Sequence, residues 1–319
     1  MIFNSILAFV LNLLSVVAVF SQYIIEPVYV NESALVPRVV NGYVAALGDV
    51  PYQVSFKAIA TRVSYYHTFC GGVIIGRTKL VTAAHCFEAR NSESSGESIS
   101  EEVMNKLAVA GTLLNGEIYQ AEDKPTGAQW RKISTVSYPS SYRFPSNDIA
   151  IVITLLPFNF NEHIAPISYA RSFEDYRGEC LVSGYGRRSK KKKLTSDKLL
   201  LATLEVLPLY WCTKMHRKNM PSFICTSDKI SDVAQGDSGG PLVCSGTKEH
   251  EEGSKGILVG IVSGHSRAGS FFTRVSSYAQ YIGPNEVNSG QTLKCYCYQI
   301  ILLHYGFSIL YFVFLFPLS

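Results

Sequence analysis

Short apolar runs bounded by Gly, Pro and polar residues recur through the middle of the chain. They are Gly72–Ile75, Leu80–Ala83, Ile149–Leu156, Leu199–Leu207, Gly256–Ser263 and Phe271–Val275. Their short lengths and their Val, Ile and Leu content suit buried strands, and no long segment of helical period separates them. One short helix is expected at Ser276–Ile282, with Ser276 or Ser277 as its cap. The pattern predicts an all-β plan of sandwich or barrel type. Two polar segments interrupt it. Asn91–Glu102 is rich in Ser and Glu, and Arg187–Lys193 holds six cations in seven residues. Each reads as a solvated loop, and the basic run also suits sulfated glycans or proteolytic nicking. No internal repeat is visible.

Both ends of the chain are apolar. Met1–Ser21 has no charged side chain and reads as a secretory leader, with Val19 and Ser21 placed for cleavage after Ser21; a retained anchor is the alternative. Secretion permits disulfides, and Asn31-Glu32-Ser33 is then a glycan acceptor triplet. Ile300–Leu318 carries no formal charge and is long enough to span a bilayer. No Lys or Arg follows it, and the small residues Asn288, Ser289 and Gly290 precede the spacer Gln291–Gln299. That arrangement favours a GPI-anchor signal over a transmembrane tail. Either of these would attach the chain to a membrane through its C-terminus, and an extension without such a role is the third alternative.

Composition narrows the classes further. With 319 residues and 47% apolar content the chain can build a sizeable core, which excludes a wholly disordered or collagen-like protein. A net charge of +4 is too weak to argue for a nucleic-acid partner. No cofactor and no metal is implied. The scattered acids around Glu117 and Glu122 make no Ca²⁺ loop, and Cys295 with Cys297 supplies only two ligands.

The candidate chemistry begins at Gly236-Asp237-Ser238-Gly239-Gly240-Pro241. A Ser between glycines can occupy a turn where backbone N–H groups converge, which serves both a nucleophile and an oxyanion hole. The same letters satisfy the G-x-S-x-G elbow of α/β-hydrolases. That elbow opens into a helix and precedes its acid and its His, whereas here Gly-Gly-Pro follows. The stronger His candidate lies upstream, in Thr82-Ala83-Ala84-His85-Cys86, and Asp148 enters an apolar run at Ser146-Asn147-Asp148-Ile149. A carboxylate buried there needs a partner, and an imidazole N–H is a natural one.

In the order His, Asp, Ser, with these flanks, the chain resembles the trypsin-like (chymotrypsin-fold) serine proteases from Arg38 to about Ile282. The resemblance implies two antiparallel β-barrels with a short C-terminal helix and a catalytic site between the barrels. It implies that Ser238 is the nucleophile, His85 the general base and then acid, and Asp148 the residue that holds the imidazole tautomer. Gly236 and Ser238 would supply the oxyanion N–H groups. Arg38-Val39-Val40-Asn41-Gly42 is similar to the family's activation point, where a trypsin-like protease would cut after Arg38 and free Val39 to pair with Asp237. The implied plan is a leader at 1–21, a pro-segment at 22–38, a protease domain at 39–284 and an extension at 285–319. The implied bridges are Cys70–Cys86, Cys180–Cys244 and Cys212–Cys225.

Specificity in such a protein would rest on Asp232, six residues before Ser238, where an acid selects Arg or Lys. A further family bridge is missing, because Ala234 and the short wall Ser263–Ser270 lack its cysteines. Gly264 and His265 stand where the family has Trp and Gly, so the pocket is remodelled. Ser263, His265 and Ser270 line it on this reading, with Ser270 narrowing it and His265 adding positive charge near pH 6. The expected activity is a secreted or surface-attached endopeptidase acting on proteins or peptides after Arg or Lys. The alternatives are a catalytically silent binding module on the same fold and an α/β-hydrolase esterase.

Overall fold

The computed structural model describes residues 42–60, 64–88, 105–123, 127–186, 195–227, 233, 236–266 and 269–284. The leader, the pro-segment with Arg38 and Val39, both polar loops, Asp232, Ala234 and the C-terminal extension lie outside the described residues.

Fourteen strands alternate along the described chain. The first barrel is built from β2 (Gln53–Ile59), β3 (Tyr65–Ile74), β4 (Lys79–Thr82), β5 (Lys106–Ala110), β7 (Gln129–Ser137) and β8 (Ala150–Thr154). Its ladder runs β2-β5-β7-β8-β4-β3 and closes through β2 with β3, with β6 (Gly116–Ile118) added on β3. The second barrel uses β9 (Gly178–Gly184), β10 (Leu200–Leu207), β11 (Phe223–Thr226), β12 (Pro241–Cys244), β13 (Ile257–Ser266) and β14 (Gly269–Arg274). Its ladder runs β10-β11-β14-β13-β12-β9 and closes through β9 with β10, with β1 (Tyr43–Val44) added on β10. All of these pairings are antiparallel. Closure leaves each six-strand ring without an open edge. The fold is therefore all-β, with two antiparallel barrels.

The apolar runs fall on β3, β4, β8, β10, β13 and β14 because β-branched residues pack well on a pleated, buried surface. Val54, Phe56, Ile74, Leu80 and Val152 belong to one buried cluster, and Val182, Leu200, Leu204, Ile224, Leu242, Val259 and Phe272 to another. Phe56 meets Phe87 edge-on at 5.2 Å.

Helices are minor, and two differ from expectation. Leu209–His216 (α1) follows Pro208 and stops at Arg217, whose φ is +53°. It buries only Cys212, so its apolar pattern is too thin to announce it. The C-terminal segment is a 3-10 turn at Val275–Tyr278 followed by α2 (Ala279–Ile282). Ser276 is not its cap: it sits inside the turn with its hydroxyl buried and without a partner among the described residues.

The three disulfides join Cys70 with Cys86, Cys180 with Cys244 and Cys212 with Cys225. The first pins the turn after β4 to β3, the second joins β9 to β12, and the third fastens α1 to β11.

Candidate active site

His85 stands in a 3-10 turn, Ala84–Cys86, directly after β4. Burial of Ala84 and the Cys86 bridge hold this turn, while the imidazole keeps 22% of its side chain exposed. Asp148 is fully buried just before β8. Asn147, before it, takes a left-handed φ of +57°. Asn147 Nδ2 donates to Ser141 O at 2.9 Å and its Oδ1 accepts from Tyr278 OH at 3.0 Å, which holds that backbone in place.

The Asp148 carboxylate meets three donors. His85 N–H reaches Oδ1 at 2.9 Å, His85 Nδ1 reaches Oδ2 at 2.8 Å, and Ser263 Oγ donates to Oδ2 at 2.6 Å. A carboxylate only accepts, so the imidazole proton lies on Nδ1 and Nε2 is left as an acceptor. Thr273 Oγ1 donates to the Asp148 carbonyl at 2.8 Å. Phe144 presents its ring to the His85 ring edge-on at 5.6 Å.

Ser263 reaches Asp148 because of a β-bulge. In the β13–β14 ladder Val262 faces Phe272 and Gly264 faces Phe271, so Ser263 has no opposite residue. A bulge re-aims the extra side chain. Sequence reading places Ser263 in the pocket wall, whereas its hydroxyl is committed to the acid.

Ser238 is half-buried on a turn wedged between the barrels. Its carbonyl accepts from Gly71 N on β3 at 2.8 Å, and Gly239 N donates to Val262 O on β13 at 2.9 Å. Gly239 has φ +76°, and a Cβ there would overlap Thr82 Oγ1 and Gly71 O. Thr82 and Ala83 lead into His85, and Val262 precedes Ser263. The Ser238–Gly239 peptide is thus held between the segment that leads into His85 and the segment that carries Ser263, the hydroxyl donor to Asp148. Among the described residues no hydrogen bond joins the Ser238 hydroxyl to the imidazole. Catalytic hydrogen bonds often form only with substrate present. Neither the Gly236 nor the Ser238 N–H has an acceptor among the described residues, and Gly236 adopts φ +110°.

Asp237 turns the other way, into the interior, and is 1% exposed. Gly186 N donates to its Oδ1 at 2.7 Å. Gly184 and Gly186 pack so closely on this carboxylate that a Cβ on either would overlap it. Cys70, His85 and Cys86 cluster tightly, but both sulfurs are spent in the disulfide, which leaves no thiolate for a metal.

A family model described as Trypsin matches residues 39–282. The chain belongs to the trypsin family. It is a serine endopeptidase, a hydrolase acting on proteins. It is 29% identical over 213 residues to Trypsin-3 of Salmo salar, covering 66% of this chain and 78% of that one. Trypsin of Sus scrofa is 27% identical over 254 residues, covering 77% and 94%. Transmembrane protease serine 9 of Rattus norvegicus is 27% identical over 77% of this chain, which spans only 22% of that longer protein. Among solved structures, neuropsin, a serine protease expressed in the limbic system of mouse brain, aligns with a TM-score of 0.58. It covers 76% of this chain and 96% of its own at 20% identity, a likeness of fold.

In this trypsin-family chain β13 and β14 pair antiparallel across the segment that carries His265 and Ser270. His265 is exposed on β13 and faces Ser270 on β14, with His265 Nδ1 3.3 Å from Ser270 Oγ. Ser270 is fully buried. Asp232, like Arg38 and Val39, lies outside the described residues.

Proposed function

We propose that the protein is a secreted or surface-attached zymogen that, once cut after Arg38, cleaves proteins after Arg or Lys through Ser238, His85 and Asp148. The observation that carries this reading is the His85–Asp148–Ser263 arrangement beside the Ser238 turn, gripped from both barrels. In the proposed reaction Ser238 Oγ attacks the scissile carbonyl while His85 Nε2 takes its proton. Asp148 keeps the imidazole in the required tautomer and stabilises the imidazolium that forms. The Gly236 and Ser238 N–H groups donate to the oxyanion, each worth about 3 kcal/mol. The imidazolium returns its proton to the leaving amine, and water activated by His85 then frees the acyl-enzyme.

The burial of Asp237 supports the proposed activation step. A carboxylate in the interior is stable only when charge or hydrogen bonds answer it. Val39, freed by a trypsin-like activating protease, would bring its ammonium to Asp237 and order the adjacent N–H groups. Asp232 would hold the substrate guanidinium or ammonium at the pocket base, with Ser270 shaping the pocket and His265 its mouth. Three disulfides and the apolar ends support an extracellular protein, secreted or attached to the cell surface.

The test is labelling by a fluorophosphonate before and after controlled tryptic cleavage. Labelling is expected only after cleavage in the wild type, and in neither state for Ser238→Ala or for Arg38→Gln. Cleaved protein that takes no label would sink the reading and leave a non-catalytic binding module on this fold.

A further inference from the structure

A second buried base lies away from His85. Lys57 is on β2, where Gln53, Ser55 and Lys57 share one face and Val54 and Phe56 the other. The polar face does not meet water. Ser183 Oγ, from the second barrel, donates to Gln53 Oε1 at 2.6 Å, and Lys57 is completely buried. Its ammonium touches Leu114 O and Asn115 O at 2.7 Å each, Thr68 Oγ1 at 3.3 Å and Glu117 Oε1 at 3.1 Å. It also lies 5.8 Å from the centre of the Tyr185 ring.

These groups close a ring. Thr112 Oγ1 donates to Glu117 Oε1 at 2.8 Å, and Tyr185 OH donates to Thr112 O at 3.1 Å. Two links then lead toward Ser238. Asn115 Nδ2 donates to Ser196 O at 2.7 Å, and Ser196 N lies within hydrogen-bond reach of Tyr185 O and Gly186 O, at 3.2 and 3.1 Å. Gly186 N is in turn the donor to Asp237, the residue before Ser238. The backbone at Tyr185–Gly186 is thus held by the Lys57 ring on one side and holds the Asp237 carboxylate on the other.

A buried ion pair is a poor way to gain stability, because well-packed apolar residues often do as well or better. What a charged, fully bonded ring supplies is a single geometry. We propose that Lys57 and Glu117 are positioning residues, whose pairing fixes Tyr185–Gly186 and, through it, the Asp237–Ser238 turn. This rests on the reading of Ser238 as nucleophile. Burial works against the charge and brings the Lys57 pKa down to about 8, while the Glu117 carboxylate beside it favours the charged form. The ionisable groups facing Lys57 are Glu117 and Tyr185, whose phenol is raised by burial and by the Glu117 charge.

The experiment compares the full-length protein after tryptic cleavage with Glu117→Gln and with the apolar pair Lys57→Met/Glu117→Leu. Fluorophosphonate titration of the wild type first establishes the nucleophile. The variants are expected to turn over a peptide ester about 10-fold more slowly, as a small misplacement of reacting groups would do. KM is expected to stay within about twofold and the melting temperature of the apolar pair to hold. Should Glu117→Gln fail to fold, the apolar pair carries the test alone. Wild-type turnover in the folded variants overturns the positioning role, as does a slowing matched by an equal loss of melting temperature. A wild type that takes no label instead removes the nucleophile reading itself, and the positioning role with it.

Discussion

Asp148 and Glu117 are both buried carboxylates with a nitrogen base against them, yet the two corners are built for opposite access. Asp148 is fully buried while His85 keeps 22% of its side chain in solvent. At the other corner Glu117 is 8% exposed and Lys57 not at all. The imidazole has one nitrogen committed to its acid and a second free to accept a proton from outside. The ammonium has no second function, because its hydrogens are directed at Leu114 O, Asn115 O, Thr68 and Glu117. The same pairing of acid and base is poised for chemistry where one member reaches the surface, and holds structure where neither does.

Substitutions at the two corners separate these roles. The largest effect is expected for Asp148→Asn, which removes the acceptor that sets the His85 tautomer and lowers kcat by about 10⁴-fold. A variant within tenfold of wild type on a chromogenic ester would show that His85 needs no such orientation. Next comes Glu117→Leu alone, which strands the Lys57 ammonium and is expected to cost about 3–5 kcal/mol in urea unfolding. The companion Lys57→Met/Glu117→Leu should recover most of that loss, and equal destabilisation by both would dissolve the contrast between the corners. Ser263→Ala takes one hydrogen bond from the buried Asp148 carboxylate and is expected to cost about 1.5–3 kcal/mol of stability and to slow acylation as well. Single-turnover acylation rates measure it, and an unaltered rate would reduce the bulge to a packing feature.

The smallest effect concerns pH. Burial lowers Lys57 from 10.5 to about 8, so between these values the unfolded chain binds the proton and the folded chain does not. Stability from this group therefore rises with pH in that window. From about pH 8 to about pH 10 the wild type is expected to gain about 2 kcal/mol over Lys57→Met/Glu117→Leu. Parallel denaturation curves across the window would mean that the contacts to the Lys57 ammonium fully offset its burial and leave its pKa unlowered.

Some of this was readable from the letters and some was not. The apolar runs lie on strands, and His85 and Asp148, picked out by their flanks, do meet at 2.8 Å. The chain departs from its pattern where one residue's neighbours come from another barrel. Gln53, Ser55 and Lys57 alternate with Val54 and Phe56 as a solvated face would, since period two cannot distinguish water from a second barrel. Ser263 reads as a pocket-lining residue, and only the bulge shows its hydroxyl turned onto Asp148. A register shift leaves no mark in composition. The eight residues of α1 escape notice because Cys212 alone among them is fully buried, with Leu209 and Met215 only partly so.

By itself the sequence determined the all-β character and the order of the chemical groups. Local propensity and short flanking motifs are properties of neighbours along the chain. It also carried the family, through the match over residues 39–282. Tertiary structure alone decided that Ser263 serves the acid and that Lys57 is sealed against Glu117, because both depend on contacts between segments at least 60 residues apart. Closing the first barrel brings Lys57 on β2 within 3.1 Å of Glu117 on β6, packing the second barrel against it brings Ser263 within 2.6 Å of Asp148, and burial then gives each contact its strength.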